Sequence, residues 1–230
     1  MTHIHEFSGS GSSRAADIEV VLFDLDGTLI DTIELILVSM RHATATVLGE
    51  TIPDEVLMHN VGVPLSVQMG EFAPERVEEL LRVYRAHNAI VHDDLVGEYV
   101  GTAAALTALA SRGVRMGVVT SKSRAVALRG LERFELEGFF ETLVAYEDTD
   151  IHKPQPEPLL EAARRMGADI GSCAYVGDSP HDMTAAVAAG AISIAALWGP
   201  FPQRVLEPGP DYAIGSLAEL AGLIGEGIRG

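Results

Sequence analysis

The stretch of residues 20–28, VVLFDLDGT, decides the predicted fold of this chain. Its apolar run ends in an acidic, glycine-containing turn, a pattern typical of a buried parallel strand. Open α/β sheets bind their ligands at the carboxyl ends of such strands. Because side chains alternate along a strand, Asp24 and Asp26 are expected on one face and Leu25 on the other. The stretch therefore predicts two carboxylates within reach of one metal ion or one substrate.

From residue 101 onward, short apolar runs alternate with segments of helical periodicity. Such alternation predicts an α/β fold with a doubly wound parallel sheet. The predicted strands lie at residues 116–120, 143–145, 173–176 and 192–196, and the predicted helices at residues 103–111, 123–134, 156–166, 180–189 and 217–224.

The segment of residues 32–100 has a different pattern from the rest of the chain. Its apolar residues recur at helical spacing before Gly49 and again after Pro74, and it contains no convincing strand. The segment therefore predicts an all-helical domain inserted into the α/β core, with a return hinge at residues 97–101.

The chain accordingly divides into three predicted parts. Residues 1–17 are polar and rich in Ser and Gly, and we expect them to form a flexible tail. The α/β core is expected to comprise residues 18–31 and 101–230. The helical domain, residues 32–100, would lie between them as a cap.

The composition restricts the classes of partner. The chain has 230 residues, of which 47% are hydrophobic, enough for a substantial core. Its 33 acidic residues outnumber 16 basic ones, and the formal net charge of −17 argues against a nucleic-acid polymer as partner. A small anionic substrate would need a local cationic site, made by a metal ion and a few side chains.

The sequence also bears on cellular location. Cys173 is the only cysteine, so no intrachain disulfide can form. No basic segment followed by an apolar stretch is visible at the N-terminus, and we expect a cytoplasmic location. The apolar stretch of residues 185–201 contains Gly190, Gly199 and Pro200, so a helix and a short strand are favoured over a membrane segment.

Three further motifs follow the first in order along the chain. Thr120 ends an apolar strand, Lys153 precedes a proline, and residues 177–182, GDSPHD, join a strand to a helix. Both lysines of the chain, Lys122 and Lys153, lie beside these motifs. The four ordered motifs resemble those of the haloacid dehalogenase-like (HAD) hydrolase superfamily over residues 18–224. The resemblance implies a HAD-like, Rossmannoid core with a helical cap directly after the first motif.

The resemblance also implies phosphoryl transfer through an aspartyl-phosphate intermediate. Asp24 would be the nucleophile, and Asp26 the general acid that protonates the leaving group and the base that activates water. Thr120 would donate its hydroxyl to a phosphate oxygen, and Lys153 would hold the nucleophile and the phosphate together. The other residues expected at the phosphate are Gly27 and Ser121.

The same resemblance implies a magnesium site. Carboxylates suit such a site, because Mg²⁺ favours octahedral ligation by oxygen atoms. Asp24, the backbone carbonyl of Asp26 and Asp178 would be its ligands. Asp182 would bind the ion directly or through water.

Two features separate reaction classes within the superfamily. Relatives that displace halide lack an acid at the position of Asp26, and phosphonate-cleaving relatives use a cap lysine, which residues 32–100 do not contain. The expected substrate is therefore a phosphate ester or phosphoanhydride. Residues 62–65, GVPL, resemble the cap loop of phosphoglycolate phosphatase-like members. The leading hypothesis is a Mg²⁺-dependent phosphatase of the phosphoglycolate phosphatase-like branch, acting on a small phosphomonoester.

The sequence leaves the substrate specificity open. Arg41, His42 and His59 are candidate contacts for the leaving group, although solvent-facing helix positions are the commoner interpretation of such residues. A sugar-phosphate mutase shares all core motifs, but Thr28 resembles the phosphatase pattern. A pyrophosphatase remains an alternative, and a non-catalytic binding module is the alternative from another class.

Overall fold

The computed structural model of the protein describes residues 5–6 and 18–224. It contains an α/β core and a helical cap inserted after the first core motif. The strands of the described part are, in chain order, β1 (His5–Glu6), β2 (Val20–Phe23), β3 (Ile30–Asp31), β4 (Gly97–Glu98), β5 (Arg115–Val119), β6 (Thr142–Val144), β7 (Cys173–Gly177), β8 (Ile192–Ala196) and β9 (Tyr212–Ile214). The helices are α1 (Ile33–Leu48), α2 (Asp54–Leu57), α3 (Leu65–Phe72), α4 (Val77–Leu95), α5 (Thr102–Ala110), α6 (Arg124–Arg133), α7 (Glu157–Met166), α8 (Pro180–Ala189) and α9 (Leu217–Ile224).

The core sheet has seven strands in the order β1-β9-β8-β7-β2-β5-β6. The strands from β9 to β6 run parallel, and β1 pairs antiparallel with β9. The chain places β5 and β6 on one side of β2, and then β7, β8 and β9 on the other. The predicted doubly wound parallel sheet is therefore confirmed. Its topological switch point, where such sheets bind ligands, lies at the carboxyl ends of β2, β5 and β7.

Strand β2 is covered on both faces, which explains its uninterrupted apolar sequence. Val21 and Phe23 belong to the apolar cluster under α5, α6 and α9. Val20 and Leu22 belong to the opposite cluster, under α7 and α8. All four side chains are fully buried, so the position of this strand fixes the acidic turn that follows it.

The cap has an apolar core of its own. Helices α1 and α4 pack against each other, and Met40, Leu57, Met69 and Leu80 are almost fully buried among the cap helices. A two-stranded antiparallel ribbon connects the cap to the core, with Ile30 of β3 paired to Glu98 of β4. The cap helices therefore occupy the chain between the two strands of this ribbon.

The structure differs from the sequence-based prediction in its shortest elements. The sequence pattern predicts neither β4, which has two residues, nor α2 and α3, which have four and eight. Strand β9, with three residues, is also additional to the predicted set. Segments of this length contain too little of a repeat for periodicity to identify them. The core helices and core strands with predicted ranges begin and end within about two residues of those limits.

Two expectations concern the chain outside the core and cap. The predicted tail, residues 1–17, lies outside the described residues apart from β1, which extends the sheet at its β9 edge. Among the described helices, none combines the length and the apolar character needed to cross a membrane.

Candidate active site

Asp24 is the first residue after strand β2, at the switch point of the sheet. Its backbone N–H donates to the carbonyl oxygen of Val176 at 2.9 Å, which extends the pairing with β7 by one residue. The strand itself ends at Phe23, so regular alternation does not extend to Asp26. Leu25 is nevertheless fully buried in the core, while Asp24 and Asp26 both line one cavity.

Lys153 holds the Asp24 carboxylate from one side. Its Nζ donates to Asp24 Oδ1 at 2.8 Å and to Asp182 Oδ1 at 2.6 Å, and lies 2.9 Å from the Tyr175 hydroxyl. Burial acts to lower the pKa of Lys153, but the carboxylates of Asp182 and Asp24 outweigh it and raise the pKa above its usual range. A permanently charged amine therefore lies against the expected nucleophile.

Asp182 is saturated with protein partners. Besides Lys153, its Oδ1 lies 3.1 Å from the Tyr175 hydroxyl, and its Oδ2 accepts from the Ser179 backbone at 3.0 Å and the Ser179 hydroxyl at 2.6 Å. The bond from the Ser179 backbone and a bond of 3.2 Å from the Asp182 backbone N–H to the Ser179 hydroxyl oxygen together form a capping box at the start of α8. Burial acts to raise the pKa of Asp182, but Lys153 and Ser179 lower it overall. These contacts favour the interpretation that Asp182 fixes the position of Lys153 over the interpretation that it binds a ligand directly.

Asp178 has fewer partners. Its Oδ1 accepts from the Thr28 hydroxyl at 2.8 Å, and the side chain is 3% exposed. Burial first, and then the nearby carboxylates of Asp182 and Asp24, raise the pKa of Asp178 well above its usual value. The turn at Gly27 makes room for this carboxylate, because a Cβ there would lie 2.4 Å from Asp178 Oδ2 and the backbone has a φ of +79°.

The donor set fits a hard divalent cation. Ligand oxygens of Asp24, Asp178 and Asp182 all lie within 4.8 Å of one another. Burial, opposed by Lys153 and reinforced by the neighbouring carboxylates, raises the pKa of Asp24 as well. Burial thus raises the pKa of two of the three carboxylates, a divalent cation would favour their charged forms, and Mg²⁺ prefers such oxygen donors. These three residues could hold a metal ion, with Asp24 and Asp178 as its freer ligands.

The Asp26 side chain is directed elsewhere. Its carboxylate accepts from the Thr32 hydroxyl at 2.6 Å and forms an ion pair with Lys122. It is not one of the three clustered carboxylates, so ligation by Asp26 would use its backbone carbonyl, as the sequence-based prediction has it. Lys122 thus becomes part of the site.

Thr120 and Ser121 follow strand β5 and line the same cavity. The Thr120 side chain is buried, and its hydroxyl accepts the Lys122 backbone N–H at 3.2 Å. The Ser121 hydroxyl donates to the carbonyl oxygen of Gly62 in the cap at 2.7 Å. Ser121 therefore connects the core side of the cavity to the cap loop that closes it.

The cavity has a volume of about 180 Å³ and lies between the core motifs and the cap. One wall is apolar and comes from the cap residues Ile36, Met40, Val61, Val63 and Leu65. The polar side chains that α4 contributes are Tyr84, Arg85 and Asn88. The cap thus closes a small space directly over the carboxylates.

The structure does not bring the cap residues Arg41 and His42 into this cavity. The Arg41 guanidinium is paired with Asp54 on the cap surface, with Nε 2.8 Å from Oδ1. The His42 ring stacks on the His87 ring at a centroid distance of 4.2 Å. In place of these predicted contacts, Tyr84, Arg85 and Asn88 of α4 are among the polar cap residues that line the cavity.

Two site residues carry only a weak signal in the sequence. Tyr175 lies in an apolar strand, and its hydroxyl lies 2.9 Å from Lys153 Nζ. Lys122 is visible as a rare lysine beside a motif, but its partner Asp26 is 96 residues away in sequence. Only the pairing of β2 with β5 brings the two together.

A cap inserted over the ligand-binding edge of a doubly wound sheet, with a buried lysine among carboxylates, places the chain among the capped α/β hydrolases. Residues 21–196 match the model of the haloacid dehalogenase-like hydrolase family, and the chain belongs to this family. The membership that the four motifs predict is therefore confirmed.

Individual relatives are consistent with this result. The "Putative pyrophosphatase PpaX" of Caldanaerobacter subterraneus subsp. tengcongensis is 38% identical over 208 residues, which are 90% of this chain and 94% of that protein. The structure of a "Putative haloacid dehalogenase-like hydrolase" from Bacteroides fragilis superposes with a TM-score of 0.83 at 26% identity, covering 88% of this chain and 99% of that chain. A "putative phosphoglycolate phosphatase" from Lactobacillus plantarum shares the fold, with a TM-score of 0.82, 24% identity and coverage of 90% and 99%.

Proposed function

We propose that this protein is a Mg²⁺-dependent phosphatase that hydrolyses a small phosphorylated metabolite through an aspartyl-phosphate on Asp24. The observation that carries the proposal is the asymmetric environment of the Asp24 carboxylate. Lys153 binds Oδ1, whereas Oδ2 has no donor within the described part of the chain. One oxygen is thus fixed and the other is available to attack phosphorus.

In the first step, Asp24 Oδ2 forms a bond to phosphorus while the bond from phosphorus to the leaving oxygen breaks. Asp26, on the same cavity wall, supplies the proton that the leaving oxygen needs. In the second step, a water molecule gives a proton to Asp26 and attacks phosphorus, which releases Asp24 and inorganic phosphate.

The remaining groups orient the reacting groups and neutralise the negative charge of the phosphate. Lys153 offsets the repulsion between the Asp24 carboxylate and the incoming phosphate, and Asp182 and Tyr175 hold the lysine in position. The Thr120 hydroxyl lines the cavity where it can donate to a phosphate oxygen. Bound through Asp24 and Asp178, Mg²⁺ would supply the further positive charge that a phosphoryl group requires.

A small phosphomonoester is the first candidate substrate, because the apolar cap wall offers a surface for a carbon-containing leaving group. Inorganic pyrophosphate is the second. It is favoured by the name of the relative at 38% identity and by Lys122, a cation beside Asp26 that could bind the leaving phosphate.

The proposal is tested by phosphate release from phosphoglycolate, sugar phosphates and pyrophosphate, with Mg²⁺ or with a chelator. We expect turnover that requires Mg²⁺ and is abolished in Asp24→Asn. Asp54→Asn is the matched control, since Asp54 lies on the cap surface and pairs with Arg41. Turnover that persists in Asp24→Asn would refute the assignment of the nucleophile.

A further inference from the structure

Arg85 differs from the other cations that line the cavity. Lys122 is paired with Asp26, and Arg129 with Asp93 at 2.9 Å and with the carbonyl oxygen of Ala89 at 3.0 Å. The Arg85 side chain makes no hydrogen bond or ion pair with any residue that the structure describes. It is exposed on α4, so its guanidinium is hydrated and can be transferred to a ligand without breaking a protein contact.

The net negative charge of the chain makes an unpaired arginine at the cavity important for binding an anionic substrate. The protein carries a formal net charge of −17, so its overall field opposes an anionic substrate. Of the other charged groups at the cavity, Lys122 already neutralises Asp26. The unpaired Arg85 guanidinium at the cavity wall is therefore the cation that can bind an additional anion. Its planar fork suits bidentate binding of a carboxylate or a phosphate.

The size of the cavity limits the distance between the two ends of the substrate. About 180 Å³ is below the roughly 300 Å³ from which ligand pockets for drug-sized molecules begin. With the scissile phosphoryl group at Asp24, only a few further atoms fit beneath the closed cap. The apolar side chains of Ile36 and Met40 would lie beside those atoms.

We propose that Arg85 determines specificity by binding a second anionic group, carboxylate or phosphate, on the substrate whose phosphoryl group is transferred to Asp24. This proposal rests on the proposed phosphatase function. It adds that a substrate with two anionic ends is preferred over an ester of the same size with one. Arg85 selects the substrate and takes no part in the bond-breaking step.

The test compares substrates with and without a second anionic group. Phosphoglycolate is paired with ethyl phosphate, in which a methyl group replaces the carboxylate, and pyrophosphate is paired with methyl phosphate. For the wild type we expect a kcat/KM about tenfold or more higher for the doubly anionic member of at least one pair. The pair whose preference falls when Arg85 is removed identifies the second group as carboxylate or phosphate, because the difference in leaving group within a pair is the same for wild type and variant.

Arg85→Ala should remove this preference through a higher KM for the doubly anionic substrate, and Arg85→Lys should restore part of it. Arg82→Ala is the matched control, because Arg82 is also an exposed, unpartnered arginine of α4 but does not line the cavity. It should keep the full preference.

The outcomes separate this proposal from the one on which it rests. Equal use of both members of both pairs by the wild type would overturn the role of Arg85 and leave the phosphatase function in place. So would an Arg85→Ala protein that loses activity equally on all four compounds. Release of phosphate from none of them by the wild type would remove the proposed function and this proposal with it.

Discussion

Gly62 of the cap is joined to Ser121 of the core by a hydrogen bond of 2.7 Å from the serine hydroxyl to the glycine carbonyl. The same glycine lies against Ser179, where a Cβ would come within 2.9 Å of the hydroxyl oxygen, and its φ is +113°. The cap loop can therefore approach both loops of the core only because residue 62 has no side chain.

Gly62→Ala should prevent this approach. We expect a fall in kcat/KM of about tenfold and a loss of about 1–3 kcal/mol in the free energy of unfolding, because the new side chain is strained and crowded. Steady-state kinetics and urea denaturation measure the two effects.

Gly70→Ala is the control for this substitution, since Gly70 lies within α3 and its Cβ would meet only Val77 Cγ2 at 3.8 Å. It should leave kinetics unchanged and stabilise the protein by about 0.5–1 kcal/mol. Equal kinetics in the two variants would show that the cap loop does not need this contact.

Lys153→Met should abolish most activity and destabilise the fold. The substitution leaves the carboxylates of Asp24 and Asp182 buried without their amine, and breaking a buried pair costs about 3–5 kcal/mol. We expect kcat to fall by at least about 10²-fold. Thermal unfolding and phosphate release are the measurements. In a Lys153→Met/Asp182→Asn protein part of the stability should return, and a purely additive result would contradict the coupling.

The stability of the Mg²⁺-free protein should depend on pH through Asp24. Burial, opposed by Lys153 and reinforced by Asp182 and Asp26, raises the pKa of Asp24 from its ordinary value of 3.8 to about 7. The folded state therefore retains a proton that the unfolded state has released above about pH 4. The stability contributed by this proton is complete below the unfolded pKa and is lost as the pH rises through the folded pKa.

The measurement is the difference in free energy of unfolding between the wild type and Asp24→Asn, in a chelator, from pH 4 to pH 8. We expect the wild type to lose stability relative to the variant across this range, and Mg²⁺ to reduce the loss. A difference that does not change with pH would contradict the raised pKa.

Mg²⁺ should alter the fluorescence of Trp198, the only tryptophan of the chain. The Trp198 indole donates to the Thr28 carbonyl at 3.1 Å, and the Thr28 hydroxyl donates to Asp178. A metal ion on Asp178 changes the charge at the end of this short chain of contacts. Titration with Mg²⁺ should give a saturable change in emission that is absent in Asp178→Asn.

Thr28→Val is the matched variant, because it keeps the shape of residue 28 and removes its hydroxyl. We expect a smaller emission change and weaker Mg²⁺ binding by calorimetry. An unchanged titration curve in Thr28→Val would show that Thr28 does not orient Asp178.

The core of this structure could be read from its sequence because β2 is buried on both faces and leaves a continuous apolar signal. Glycines and prolines marked the ends of the longer helices, such as Gly49 after α1 and Pro180 at the start of α8. The ribbon of β3 and β4 could not be predicted, because pairing between two residues 68 positions apart, such as Ile30 and Glu98, leaves no local pattern.

The candidate site was predictable where the residues follow strand ends, as Asp24, Thr120 and Asp178 do. The cap contacts were not. Arg41 and Arg85 both lie on exposed positions of cap helices, and only the rotation of each helix against the core decides which one reaches the cavity. That rotation depends on packing of the whole cap, which helical periodicity alone does not determine.

The two oxygens of Asp182 serve different parts of the molecule, since Oδ2 caps helix α8 and Oδ1 anchors Lys153. Opening of the first turn of this helix would therefore also remove one of the three contacts that hold the lysine. Hydrogen exchange at the Asp182 amide and loss of the contact between Asp182 and the Lys153 amine should therefore report the same local unfolding event. The position of the lysine amine would then depend in part on how often this single helical turn is closed.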